Sequence, residues 1–247
     1  MSQGTHGTAD PKQVRMAAVQ AALDQTPMTT ARLWNPWPQV VDDSLDIKAL
    51  QAPARRGEVP DIIADGMTFA TLKPVHRAPL GQAAGLDGPV TEATFDQARA
   101  ELKRRYMAAG RAKYRTLTDG NCTLLACCVI GMLADRPELL GPGVTVELVN
   151  IVDTTGGHGH AYVVIGRAPG DVGKVGGYGP GCFFVDPWYA RQQAAPPGTR
   201  AVKDATSIYG DGTSPFWDLD FIAFIDDDTT PVVRLTFTSD ELAKLGT

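Results

Sequence analysis

One stretch limits the folds open to this chain more than any other. From Thr123 to Ala134 the sequence reads TLLACCVIGMLA, without a single charge. It is too short to span a bilayer. Turn residues Asp119, Gly120 and Asn121 precede it, and Asn121 is a good helix N-cap. The spacing predicts a helix from Asn121 to Leu133, with Leu125, Ala126, Val129 and Leu133 forming a buried face. At 247 residues and 43% hydrophobic, the chain can supply a sizeable core.

Cys122 then falls in the first helical turn, where the helix dipole and backbone N–H groups favour a thiolate over a thiol. A nucleophile on the first turn of a buried helix is rigidly aimed, as acyl transfer requires. The plainer alternative is that Cys122 is a small buried hydrophobe. Cys127 and Cys128, deeper in the apolar run, read as core residues. The remaining cysteine is Cys182. Two of the four are adjacent and three share one predicted helix, which fits reduced thiols better than a disulfide framework.

Around this helix the pattern is regular. A helix is predicted from Thr91 through Phe95, Ala98, Leu102 and Tyr106 to about Ala109, ended by Gly110. Strands are predicted at Val144 to Val152, Ala161 to Ile165, Cys182 to Val185, Leu219 to Ile225 and Val232 to Thr238. A short helix from Ser239 to Leu245, capped by Ser239 or Asp240, closes the chain. Helices first and strands later argue for an α+β fold and against an alternating parallel one.

Residues 1 to 90 differ. Prolines punctuate them from Pro11 to Pro89. A helix is expected near Lys12 to Leu23, where Val14, Ala17, Ala18, Ala21 and Ala22 recur at helical spacing. Short segments follow at Asp61 to Ala64 and Met67 to Leu72. The region reads as a Pro-rich extension wrapped on a catalytic domain of residues 91 to 247; a separate targeting or partner-binding module is the alternative. With 23 basic and 28 acidic residues, net charge −5, and no basic block, nucleic acid is not expected as a partner. The first residues, MSQGTHGTADPKQVRM, contain no apolar core of a Sec signal peptide. A dedicated secretion system would leave no such mark.

Two further motifs carry chemistry. In GGHGHAYVVIG, Gly156 to Gly166, an extended chain puts His158, His160, Tyr162 and Val164 on one face. His160, followed by a small Ala and leading directly into the strand, is the preferred base. His158 and His160 with Cys182 or Asp186 would also make a zinc set, but no companion Cys-x-x-Cys or His-Glu-x-x-His accompanies them, so no metal or cofactor is expected. In CFFVDPWY, Cys182 to Tyr189, Asp186 stands at a strand end and Pro187 holds it extended. A carboxylate there can accept the second ring N–H of His160 and fix its tautomer, with Trp188 shielding the bond from water. An ordinary Asp-Pro turn is the alternative. The stretch Arg167 to Gly181 reads as a flexible hairpin connection.

The order is cysteine on a helix, histidine on a strand, aspartate at the end of the next strand. With GNCTLLA, HAYVVI and VDPWY, it resembles the papain-like cysteine enzyme superfamily, and most nearly the papain-fold toxin and effector domains of bacteria. The resemblance covers about Thr91 to Tyr189. It implies a nucleophile-bearing helix packed on an antiparallel sheet, with Cys122 as nucleophile, His160 as base and Asp186 as orienting acid. It implies a protein substrate, glutamine deamidation as the preferred reaction, and proteolysis or transglutaminase-like transfer as alternatives. A degenerate, non-catalytic binding module is the non-enzymatic alternative. An immunity or activating protein would be a further partner, and delivery to a target-cell cytosol the setting. Two departures stand out. Secreted papain-like proteases place the histidine roughly 130 to 150 residues after the cysteine, far later than here. No glutamine lies between Gln97 and Cys122 to complete an oxyanion hole, which leaves the Cys122 N–H with Asn121 or Thr118 as the candidate second donor.

Overall fold

A computed structural model describes residues 10–33, 67–152, 159–172, 177–191, 200–204 and 231–246. The predicted strand at Leu219 to Ile225 and the segment Asp61 to Ala64 lie outside them. In chain order the elements are α1 (Pro11–Asp24), β1 (Arg32–Leu33), α2 (Pro74–Ala84), α3 (Phe95–Lys113), β2 (Asp119–Gly120), α4 (Cys122–Asp135), β3 (Thr145–Val152), β4 (Gly159–Ile165), β5 (Phe183–Val185), α5 (Pro187–Ala190), β6 (Val202–Asp204), β7 (Pro231–Thr238) and α6 (Ser239–Gly246). The class is α+β. Strands β6–β5–β4–β3–β7 form an antiparallel sheet in that order, and β1 pairs with β2 in a short parallel ribbon.

Helix α4 is buried almost throughout, as the uncharged run from Thr123 to Ala134 requires. It meets α3 at two glycines. A Cβ added to Gly110 would lie 1.9 Å from the carbonyl oxygen of Cys127, and one added to Gly131 would lie 2.2 Å from the backbone nitrogen of Arg111. The two backbones touch there, which only glycine permits. Gly110 therefore does not end its helix as the sequence predicted. It lies inside α3, which runs on to Lys113, and its use is close approach. Beyond the crossing, Asp135 at the end of α4 accepts from Arg111 Nε at 2.6 Å and from the Tyr114 hydroxyl at 2.9 Å.

Helix α1 starts with Asp10 accepting from the Lys12 N–H and with Pro11 in the first turn, an arrangement suited to helix starts. It lies on the edge strand β6. Lys12 pairs with Asp204 at 2.7 Å, and Gln20 Oε1 accepts from the Val202 N–H at 3.0 Å. Its Val19, Ala22 and Leu23 join one core with α4 and the sheet. Helix α2 was not expected in the proline-rich region. Pro74 occupies its first turn, Pro79 lies inside it, and Gly85 ends it in the left-handed conformation at φ 73°. For α6 the predicted caps differ from those observed. Thr238 Oγ1 accepts from the Glu241 N–H while a Glu241 carboxylate oxygen accepts from the Thr238 N–H, a reciprocal cap. The Ser239 hydroxyl instead accepts from the Val144 N–H.

The described parts of the β4–β5 connection are latched. Arg167 pairs with the buried Glu147 at 2.6 Å, and the Ala168 N–H donates to the Tyr178 carbonyl at 2.8 Å. No helix among the described residues is long and apolar enough to cross a membrane.

The glycine crossing makes a direct prediction. Gly110→Ala and Gly131→Ala should each destabilise the fold by about 1–3 kcal/mol, the usual penalty of overpacking. Gly141→Ala, where an added Cβ meets nothing within 4 Å but φ is 77°, should cost only about 1 kcal/mol of backbone strain. Urea unfolding of the three variants measures the difference.

Candidate functional site

Three elements converge on one point. Asn121 caps α4 by accepting from the Leu124 N–H at 2.8 Å, so Cys122 is the first helical residue, as its sequence context predicted. Strand β4 carries His160. Pleat alternation puts His160, Tyr162 and Val164 on one face, and Val164 stands opposite Phe184 of β5. Two residues beyond Phe184, Asp186 continues that same face just past the end of β5. It is thus the diagonal neighbour of His160, within side-chain reach.

The contact is made. His160 Nε2 lies 2.6 Å from Asp186 Oδ2, with both residues buried. A carboxylate only accepts, so Nε2 carries the hydrogen. Cys122 is close enough to His160 to raise its pKa; with Nε2 committed to Asp186, Nδ1 is the nitrogen left to face the thiol. Burial alone pushes the His160 pKa down. The Asp186 charge and hydrogen bond outweigh it, Cys122 adds to them, and the imidazolium is held up to about 10 against an ordinary 6.5.

Asp186 is fixed from several sides. Its backbone N–H donates to the Ala201 carbonyl at 2.8 Å. Its Oδ1 accepts from the Tyr189 N–H at 2.9 Å, so it is the N-cap of α5 as well as the partner of His160. Pro187 was expected simply to hold Asp186 extended; it also opens this helical turn. The turn carries Trp188 over the imidazole, ring centroids 4.7 Å apart and tilted 42°. Tyr162 stacks on the same ring at 5.9 Å. The Ala201 carbonyl has no signal in the sequence; the helical turn has one, since Asp186 and Pro187 repeat the Asp10–Pro11 pattern that opens α1.

The other named residues fall as follows. The Asn121 side-chain oxygen is engaged as a cap. The exposed Thr118 donates its hydroxyl hydrogen to Asp119 at 3.3 Å. His158 lies outside the described residues. Among the described residues, no group of three or more His, Cys, Asp and Glu is placed to hold a metal. Cys127 and Cys128 lie inside α4, and burial pushes the thiols of Cys128 and Cys182 up to about 12.

Exposure does not distinguish Cys122 from Cys127, at 6% and 5%; the imidazolium does. Iodoacetate, an anion drawn to that charge, should therefore alkylate Cys122 and spare Cys127, Cys128 and Cys182, as peptide mass spectrometry would read. The rate should fall as pH rises through about 10, where His160 loses its proton. Folding stability shares this sign. Between 6.5 and about 10 the folded chain holds a proton that the unfolded chain releases. The pair's contribution is thus complete below 6.5 and lost as pH rises to about 10.

Two substitutions separate the roles of Asp186. Asp186→Asn keeps an oxygen for the Tyr189 N–H but presents an NH₂ to His160. The ring must then accept at Nε2 and carry its hydrogen on Nδ1, facing the sulfur. The fold should survive while the alkylation rate falls and its high-pH limit moves down. Asp186→Ala leaves His160 and the helical turn without their partner and should cost about 3–5 kcal/mol in urea unfolding.

Compared with known proteins, the chain matches no family model, no curated protein and no solved structure.

Proposed function

We propose that the chain is a cysteine-dependent amide hydrolase of papain-like architecture that deamidates a glutamine side chain of a protein. The observation that carries this reading is the buried His160–Asp186 pair, joined at 2.6 Å, with Cys122 near enough to act on the His160 charge. Such a relay supplies each part of acyl transfer. The Cys122 sulfur attacks the carboxamide carbon. The carbon–nitrogen bond breaks as His160 passes its proton to the leaving nitrogen, and ammonia departs. Water, deprotonated by His160, then hydrolyses the thioester. A glutamate side chain and the free thiol result.

The depth of the site supports a side-chain amide over a main-chain one. Cys122 is 6% exposed and His160 3%. A protease must seat an extended chain on both sides of the scissile bond, whereas a deamidase needs a slot for one side chain. Bacterial toxin or effector action, with an immunity or activating partner, belongs to the same reading through the resemblance in GNCTLLA, HAYVVI and VDPWY.

Incubation with candidate target proteins tests the reaction. Deamidation leaves chains intact, adds about one mass unit per site and releases ammonia, all lost in Cys122→Ala. Chain fragments without ammonia would establish proteolysis instead, and joined chains would establish transglutamination. Activity that persists in Cys122→Ala would end the cysteine-enzyme reading.

A further inference from the structure

We propose that Arg191 is a positioning residue of this site: it grips a strap at Thr30–Leu33 that holds the lead-in to Cys122 against the helical turn that begins on Asp186. The inference rests on the acyl-transfer reading above and extends it to residues outside the cysteine, histidine and aspartate.

The relay joins two parts of the chain with no covalent tie nearby. Cys122 belongs to α4, and His160 and Asp186 belong to the sheet. A strand–turn–helix lead-in aims the thiol, and that lead-in is β2. It is paired with β1. Arg32 registers with Asp119 and Leu33 with Gly120, and the Arg32 N–H donates to the Thr118 carbonyl at 2.9 Å. Immediately upstream, the carbonyls of Thr30 and Ala31 face the other part. Arg191 Nη2 donates to them at 3.4 and 3.2 Å, and Arg191 Nε donates to Ala31 at 3.3 Å. Arg191 follows α5 directly, and its N–H closes that turn on the Trp188 carbonyl. Asp186 thus caps one end of a single helical turn, and the residue at its other end holds the strap.

The strap is itself anchored. Met28 is fully buried, Ala31 and Leu33 are in the core, and the Thr26 hydroxyl donates to Leu23 at the end of α1. A fixed strap gripped from both sides sets the separation of sulfur and imidazole. The planar guanidinium suits this task because its fork of donors spans two carbonyls at once. Loss of that grip leaves the His160–Asp186 pair intact and lets the sulfur drift from it. Misplacement on that scale costs reaction rate without unfolding the chain.

The test compares full-length wild type, Arg191→Ala and Arg191→Lys. The measurement is the rate constant of iodoacetate at Cys122 across about pH 5 to 11, a range that spans histidine and thiol titration. Arg191→Ala should react about 10- to 100-fold more slowly near neutrality. Its high-pH limit should also move down, because Cys122 no longer helps hold the proton on His160. Arg191→Lys, which keeps the charge but not the fork, should fall between the two. A residue that only stabilised the fold would shift the melting temperature and leave the pH limit in place. A wild-type rate and an unmoved pH limit in Arg191→Ala overturn the strap. Should Arg191→Ala not fold, Arg191→Lys decides, and a wild-type rate there overturns it equally. A wild-type Cys122 that shows no selective reactivity overturns the acyl-transfer reading and the strap together, an outcome distinct from loss of the strap alone.

Discussion

Backbone contact between α3 and α4 at Gly110 and Gly131 is the constraint on which the remaining geometry depends. An apolar helix that is buried on all sides can be seated in many ways, because hydrophobic burial has no direction. The glycine contact removes that freedom. It lets α3 approach α4 to backbone distance, and the Arg111–Asp135 ion pair holds the far end of α4. With the body of α4 seated in this manner, the strap has a fixed helix whose first residue it can aim, and the sheet presents His160 to that residue.

The polar part of the site then faces a different cost. Two ionisable groups are taken fully out of water, and such a pair is sustained only if its remaining valences are filled. Asp186 meets this by using one oxygen for His160 and the other for the Tyr189 N–H, while Ala201 holds its backbone. Trp188, delivered by the same turn, and Tyr162 cover the imidazole. Orientation, capping and exclusion of water all follow from one aspartate that ends a strand and starts a helix.

Much of this was legible in the residues. Asn121 before an uncharged run marks a helix start whatever surrounds it, so the position of Cys122 could be read directly. The period-two pattern of HAYVVI assigned His160 a face, and a strand ending in VDP put Asp186 near it. What could not be read depends on contacts remote in sequence. Gly110 looks like a helix stop until another backbone lies against it. Pro74 and Pro79 look like breakers until the first is seen to open α2. Arg191 and the carbonyls of Thr30 and Ala31 carry no motif, because a guanidinium that binds main-chain oxygen demands nothing of the partner side chains.

The docking of α1 and its strap on Arg191 and β6 has a consequence for the timing of assembly. Gln20 meets Val202 across 182 residues, and Arg191 meets Ala31 across 160. Loops of that length close late, since their entropy must be offset before their contacts form. A ribosome releases Cys122 well before Asp186, Arg191 or β6 exists as folded structure, and α1 must wait for a strand made long after it. Until those residues emerge, the thiol has neither its imidazolium nor its fixed aim. The setting of Cys122 is completed in one late event, when α1 and its strap meet α5 and β6.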